Sequence, residues 1–167
     1  MSIPNCNEGR FMTITYEKMR EKMEGIQSER KKRFDFIRKS INELVKAYKG
    51  SLGLPSDTWQ SIGGQEYSYV TLGVMIDGKY SWSPQTPIES HIVNIAIATV
   101  VDDTGRGGQK VTCELEISTD RYAEELYVNV KGKNGGKVTV TGGDYREVCD
   151  LIKDVSYADI SGYDDFR

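Results

Sequence analysis

Hydrophobic residues along this chain follow a helical spacing first, then a strand-like alternation, and finally a helical spacing again. Between residues 13 and 49 the apolar positions lie three or four residues apart, which is the spacing of one helix face. The first set comprises Tyr16, Met19, Met23 and Ile26, and the second comprises Phe34, Ile37, Ile41, Leu44 and Tyr48. The pattern predicts a long N-terminal helix over 13–49 that ends at Gly50, Gly53 and Pro55.

The basic segment 28–33 separates these two apolar sets and leaves the course of the helix open. Arg30 occupies the apolar stripe there, and Gly25 lowers helix stability by about 1 kcal/mol relative to alanine. The segment is either one helix or two helices with a bend near 25–30. A single helix would be roughly 50 Å long, whereas an eight-residue strand spans roughly 27 Å. The first set is therefore expected to be covered by a second copy or another protein, or to fold back on its own domain.

Residues 67–141 alternate between apolar and polar positions and contain six β-rich runs. The runs are 67–76, 79–82, 91–101, 110–118, 125–131 and 137–141. Turn sequences separate them, and Asp77-Gly78 is the strongest hairpin signal. The pattern predicts an antiparallel meander sheet of about five to six strands. Because 91–101 is apolar on both faces, it is expected to be a central strand covered on two sides.

A short amphipathic helix is predicted after the sheet, over 144–155, with Asp144 as its N-cap. Its apolar face comprises Tyr145, Val148, Cys149, Ile152 and Val155. The predicted fold is thus α+β: a long N-terminal helix, the antiparallel sheet and a C-terminal helix packed on it. Residues 1–12 are expected to form a flexible arm and 13–167 a single domain with a tail at 156–167. The connection 50–66 is expected to be pinned to the core by Trp59 and Ile62 or to carry a short helical turn.

Composition and charge narrow the class of protein. With 167 residues, 38% hydrophobic and 28% charged, the chain fits one globular domain. A net charge of −3 disfavours bulk binding to DNA or anionic membranes. No apolar run approaches the roughly 20 residues needed to span a bilayer, and no signal peptide is recognisable, so a cytoplasmic location without a membrane partner is expected. Cys6, Cys113 and Cys149 have no metal-ligand spacing and are interpreted as free thiols in a reducing compartment.

Catalytic motifs are not recognisable in the sequence. His91 is the single histidine, and no G-x-S-x-G elbow accompanies it. Residues 104–110, T-G-R-G-G-Q-K, lead into a strand instead of opening a helix, unlike a phosphate-binding loop. Asp102 and Asp103 with E-L-E at 114–116 lack the lysine of a metal-dependent nuclease. The sequence therefore favours a protein that is not an enzyme, and no catalytic residue, metal or cofactor is assigned.

Two glycine-rich connections, 102–109 and 131–137, are expected to lie at the same end of the sheet, because they are alternate turns of a meander. Their cations are Arg106, Lys110, Lys131, Lys133 and Lys137. Lys79 would join them if the first hairpin continued the same up-and-down order. Exposed backbone N–H groups and cationic side chains bind anions, so a phosphorylated small molecule or nucleotide is one possible ligand. The alternative is that these are ordinary solvated hairpin turns.

The polar face of the sheet carries Tyr67, Tyr69 and Tyr127, which are residue types suited to protein recognition. Together with the helix residues Tyr16, Met19, Met23 and Ile26, they form the predicted partner-binding set. The leading hypothesis is a non-enzymatic interaction or regulatory protein, of the inhibitor, immunity or phage and bacterial accessory type. It would self-associate through the N-terminal helix and bind a protein partner by its surface. The alternatives are a nucleotide binder at the basic turns and, third, a metal-dependent hydrolase or nuclease.

Overall fold

The computed structural model describes residues 13–86 and 88–162, which form two helices and eight strands. In chain order these are α1 (Tyr16–Ser51), β1 (Thr58–Gln60), β2 (Glu66–Ser68), β3 (Val70–Ile76), β4 (Lys79–Trp82), β5 (Ile92–Val100), β6 (Lys110–Thr119), β7 (Glu125–Val130), β8 (Gly136–Thr141) and α2 (Arg146–Ser161). The predicted arm 1–12 and the end of the predicted tail, 163–167, lie outside the described residues, as does Cys6. Residue contacts divide the chain into two units, 1–32 and 33–167. The assignment of 13–167 to one domain stays a prediction.

Helix α1 runs without interruption from Tyr16 to Ser51, which answers the question of one helix or two. Thr15 begins it, since its hydroxyl accepts a hydrogen bond of 3.3 Å from the backbone N–H of Lys18. Glu17 lies in the first turn, where the helix dipole favours negative charge. Every residue from 13 to 32 is exposed, including the whole of the first apolar set.

The main sheet has six antiparallel strands in the order β4-β3-β5-β6-β7-β8, which confirms the predicted antiparallel sheet. Strands β5 to β8 are neighbours in sequence order, as in a meander. The first hairpin departs from that order, because β3 and not β4 pairs with β5, with Val70 opposite Thr99. Since β3 runs antiparallel to β5, the turn after Ile76 lies at the end of the sheet opposite to 101–109. Lys79 therefore does not join the cations of that loop.

The second half of α1 and helix α2 contribute to one hydrophobic core on the inner face of the sheet. The buried helix residues are Ile37, Ile41, Leu44, Tyr48, Val148, Cys149, Ile152 and Val155. The Tyr48 and Thr99 hydroxyls share a buried hydrogen bond of 2.8 Å. Burial raises the pKa of Tyr48, and it raises the pKa of the Cys113 thiol to about 12. Cys113 and Cys149 are both buried free thiols.

Helix α2 begins and ends later than predicted. Tyr145, not Asp144, is the N-cap residue. The Asp144 carboxylate still accepts the Arg146 N–H at 3.2 Å, and hydrogen bonds from Arg146 lower the pKa of Asp144 to about 2. The helix continues to Ser161, six residues beyond the predicted end at 155. Neither glycine nor proline occurs between Arg146 and Gly162, so no residue type that ends a helix interrupts α2. Ser156 is buried beside Tyr48, so the inner face of α2 extends by another turn.

The connection 50–66 contains part of a small hairpin instead of a helical turn. Strands β1 and β2 pair in a two-stranded sheet, with Trp59 opposite Tyr67. Trp59 is buried, as expected, but Ile62 is 73% exposed at the hairpin turn. Ile62 lies two residues after the end of β1, and its backbone N–H makes a tertiary contact by donating to the Gly105 carbonyl oxygen.

Among the described residues of this unit, no helix contributes a buried side chain to the outer face of the main sheet. Strand β5 is central, as predicted, yet Ile92 and Asn94 are exposed on this face, while Ala96 and Ala98 are buried. The Tyr80 ring lies over Gly73, the cross-strand partner of Ala96. On the outer face, β5 is therefore covered by side chains of the sheet, and only in its second half.

Because Gly73 packs against the Tyr80 ring, we expect the stability of the fold to depend strongly on the absence of a side chain at position 73. A Cβ at Gly73 would collide with the Ser81 carbonyl oxygen and lie 2.7 Å from the Tyr80 ring. We expect Gly73→Ala to lower the free energy of unfolding by about 1–3 kcal/mol, as overpacking does. Urea denaturation measures this. Gly50→Ala is the matched control, since nothing lies within 4 Å of its Cβ position, and an unaffected Gly73→Ala would contradict the packing.

Candidate functional site

The loop 101–109 is held in shape by its own hydrogen bonds. The Gly108 N–H donates to the Asp102 carbonyl oxygen at 2.6 Å, and the Gly107 N–H donates to the Thr104 carbonyl oxygen at 2.7 Å. The Asp102 carboxylate accepts from the Thr104 hydroxyl at 2.7 Å and from its N–H at 3.1 Å. These bonds lower the pKa of Asp102. Gly107 and Gly108 therefore lie in a hydrogen-bonded turn and not in an open loop.

Two contacts from the preceding hairpin fasten this loop. The Ile62 N–H donates to the Gly105 carbonyl oxygen at 2.8 Å. The Tyr69 hydroxyl donates to the Asp103 carboxylate at 2.6 Å, and that bond raises the pKa of Tyr69. Tyr69 is only 7% exposed because the chain bends there between β2 and β3. It therefore supports the loop and offers no side chain to an outer surface.

A cleft of about 340 Å³ lies between the hairpin, the loop and the start of β6. We call it the Trp59 cleft, and the residues that line it include Trp59, Tyr67, Thr71, Gly107, Gly108 and Lys110. The Trp59 and Tyr67 rings pack with centroids 5.4 Å apart and planes tilted by 32°. Gly108 has φ of 103°, and a Cβ there would lie 3.3 Å from Cη2 of Trp59. Glycine thus lets the backbone approach the indole edge.

Polar groups lie in and beside the Trp59 cleft. Lys110 is the one charged residue among the described residues that line it. Its Nζ lies 5.4 Å from the centre of the Tyr80 ring, and the Tyr80 and Thr71 hydroxyls share a hydrogen bond of 2.7 Å. The Trp59 indole N–H is buried and has no hydrogen-bond partner among the described residues. An unpaired buried donor costs about 1–3 kcal/mol.

The predicted basic rim is divided by the strand register. Lys110 lies in the Trp59 cleft, and Arg106 is exposed in the loop 101–109. The Lys131 N–H pairs with the Glu114 carbonyl oxygen, four residues along β6 from Lys110, a separation of roughly 14 Å. The two turns lie at the same end of the sheet, as expected. The β7–β8 hairpin is shorter, however, so its turn does not reach the level of the loop 101–109.

The three lysines of the β7–β8 hairpin have their own surroundings. Lys131 Nζ lies 3.7 Å from the Glu116 carboxylate and 3.4 Å from the side-chain oxygen of Asn94. Lys133 is exposed in the turn, and Lys137 pairs with Asn129 on the outer face. The hypothesis that all five cations bind one anion stays a prediction.

Aromatic side chains on the outer face differ from the predicted set. Tyr127 is 38% exposed, and its hydroxyl donates to Glu125. Tyr67 belongs to the Trp59 cleft. Trp82, which the sequence reading did not select, is 68% exposed on edge strand β4 and pairs with Gly73. Its position two residues after Tyr80 on a hairpin strand was the available signal, since alternate residues share a face.

Neither a cluster of potential metal ligands nor a membrane-spanning helix occurs in the described part of the chain. Residues 13–86 and 88–162 contain no group of three or more His, Cys, Asp or Glu side chains placed to hold a metal ion. His91 is exposed at the start of β5. Neither helix within these ranges has the length and apolar character required to cross a lipid bilayer.

Comparison with known proteins gives no relative: the chain matches no protein-family model, no curated protein and no solved structure. Any function therefore has to be inferred from the residues themselves.

The contact between Gly108 and Trp59 predicts how the cleft responds to substitution. We expect Gly108→Ala to lower the free energy of unfolding by about 1–2 kcal/mol, because alanine disfavours positive φ. The added methyl group should also displace the indole and shift the fluorescence of Trp59, measured in a Trp82→Phe background. Gly105→Ala is the control, since its Cβ would meet Ile62 at an ordinary 3.5 Å. Equal spectra for both variants would contradict the contact.

Proposed function

We propose that this chain is a non-enzymatic interaction protein that binds a protein partner through the first half of α1. The observation that carries the proposal is the exposure of four large apolar residues on one helical stripe. Their exposed fractions are 72% for Tyr16, 56% for Met19, 54% for Met23 and 50% for Ile26. Such a contiguous apolar surface is typical of an interaction site.

The spacing of the stripe indicates what kind of partner fits. Tyr16, Met19, Met23 and Ile26 repeat at intervals of three and four residues, which are the a and d positions of a coiled coil. Arg20 and Glu24 form an ion pair at 3.6 Å beside the stripe, as solvated flanks of such helices do. A second helix therefore fits this face, and the proposed first partner is a second copy of the chain.

The chemistry of the remaining chain agrees with a regulatory or accessory role. The buried free thiols Cys113 and Cys149 fit a reducing, cytoplasmic compartment. The exposed Trp82 and Tyr127 give the outer sheet face residue types that are enriched in protein interfaces. This face is proposed as a second contact surface for a protein of another kind.

Binding of a phosphorylated small molecule or nucleotide at the basic turns is the second candidate function. One observation favours it: the structure places Lys110 in a cleft beside an aromatic pair.

Replacing two methionines of the stripe tests the proposed association. We expect Met19→Gln with Met23→Gln to weaken dimerisation by about 100-fold or more, because each buried Met side chain contributes about 1.5–3 kcal/mol. Glutamine keeps the helix propensity near that of methionine. Sedimentation equilibrium of the unmodified protein and the variant gives the two dissociation constants.

The matched control is Lys18→Gln with Glu21→Gln, which lies outside the stripe on the same helix and also leaves net charge unchanged. This control should dimerise like the unmodified protein. A strictly monomeric unmodified protein at all concentrations would refute self-association, and equal weakening by both double variants would refute the stripe as the interface.

A further inference from the structure

We propose that two copies of the chain associate antiparallel through α1, with Met23 opposite Ile26 of the partner subunit. This inference rests on the proposed self-association and adds its direction and register. Met23 and Ile26 belong to the exposed stripe that begins at Tyr16. A helix face with a and d spacing packs against another helix, and the residues that flank the face decide how the two helices are aligned.

The flanks of the stripe carry opposite charges seven residues apart. Lys22 and Glu29 both occupy g positions of the heptad in which Met23 is a and Ile26 is d. Both side chains are exposed. Within the described residues, no ion pair includes either of them. The two charges therefore lie beside the apolar stripe, where a second helix would meet them.

The antiparallel arrangement brings these two charges together. With the stripes aligned as proposed, g positions face g positions, and Lys22 lies beside the partner's Glu29. A two-fold axis repeats the contact, so the dimer gains two such pairs. In the parallel arrangement g positions lie beside e positions instead. Lys22 would then meet the partner's Gln27 and Glu29 would meet the partner's Phe34, so neither charge would gain an opposite charge.

Arg30 favours the same direction. It continues the stripe as the next a position, four residues after Ile26. In a parallel pair it lies opposite its own copy, so two guanidinium groups meet in the interface. In the antiparallel pair it lies opposite the partner's Met19, which packs on the arginine stem while the charged head reaches solvent. The comparison concerns the charge of the guanidinium, which it keeps with or without a partner in its own chain.

The competing antiparallel register brings like charges together. Moving one helix by a heptad sets Met19 opposite the partner's Met23. Lys22 then lies beside the partner's Lys22, and Arg20 lies beside the partner's Arg20. Like charges placed against each other across an interface destabilise it. The proposed register avoids both contacts, because it places Arg20 beside the uncharged side chain of the partner's Gln27.

Charge reversal tests the pairing of Lys22 with Glu29. We expect Lys22→Glu and Glu29→Lys each to weaken dimerisation by about tenfold, because each turns two attractions into two repulsions. The combined variant exchanges the two charges and should restore the original affinity. Sedimentation equilibrium gives the dissociation constants. Lys18→Glu and Glu21→Lys are the matched controls, since they make the same charge changes at c and f positions on the outward side of the helix, and should leave the affinity within about threefold.

Distances between spin labels test the direction independently. Lys18→Cys and Gly25→Cys, each in a Cys6→Ser background, place one label per chain at c positions one heptad apart. Cys113 and Cys149 are buried. In the proposed register the two copies of residue 18 are displaced along the helix axis by roughly 20 Å, and those of residue 25 by roughly 2 Å. We expect pulsed electron paramagnetic resonance to give a longer distance at 18 than at 25.

The outcomes separate this inference from the proposed self-association. Equal label distances in a dimer would indicate a parallel pair, and a longer distance at 25 would indicate the competing register. Either result would overturn the inference and leave the self-association intact. Unchanged affinity in both single reversals, or no recovery in the combined variant, would overturn it as well. A monomeric unmodified protein would overturn the self-association and the inference together.

Discussion

The alternation of apolar residues along β5 and β6 is the constraint on which the rest of the structure depends. Val93, Ile95 and Ile97 pair with Ile117, Leu115 and Cys113, and all six side chains are buried on the same face. Burying this surface is the main favourable term in folding such a domain. Because only the inner face offers a continuous apolar surface, α2 and the second half of α1 pack there. The outer face and the end of the sheet near 101–109 remain open to other molecules.

The proposed interaction surfaces lie where this core ends. The loop 101–109 extends beyond the paired strands, and the Tyr69 hydroxyl and the Ile62 backbone anchor it. That anchoring brings Lys110 and Trp59, fifty-one residues apart in the chain, to one cleft. The first half of α1 has no buried residue, although its apolar spacing matches that of a packed helix.

Long periodic segments could be predicted from the sequence, because the period itself determines which face is buried. The α+β class, both helix faces and the six-stranded antiparallel sheet were predictable in this way. The pairing of β3 with β5 was not, since alternation does not specify which neighbour a strand takes. Strands β1 and β2 have three residues each, too few to show a period. The Trp59 cleft joins three separate segments, so only the tertiary structure reveals it. Tyr69 is buried because of a local bend, which the alternation of Tyr67 and Tyr69 in the sequence does not predict.

Hydrogen exchange at two protein concentrations tests the central claim that the first half of α1 is an interaction surface. Amides in 20–32 should exchange quickly in dilute solution, because none of these residues is buried, whereas those of β5 and β6 should be protected by the core. Raising the concentration should slow exchange in 20–32 and leave β5 and β6 unchanged. Identical exchange in 20–32 at both concentrations would contradict the account.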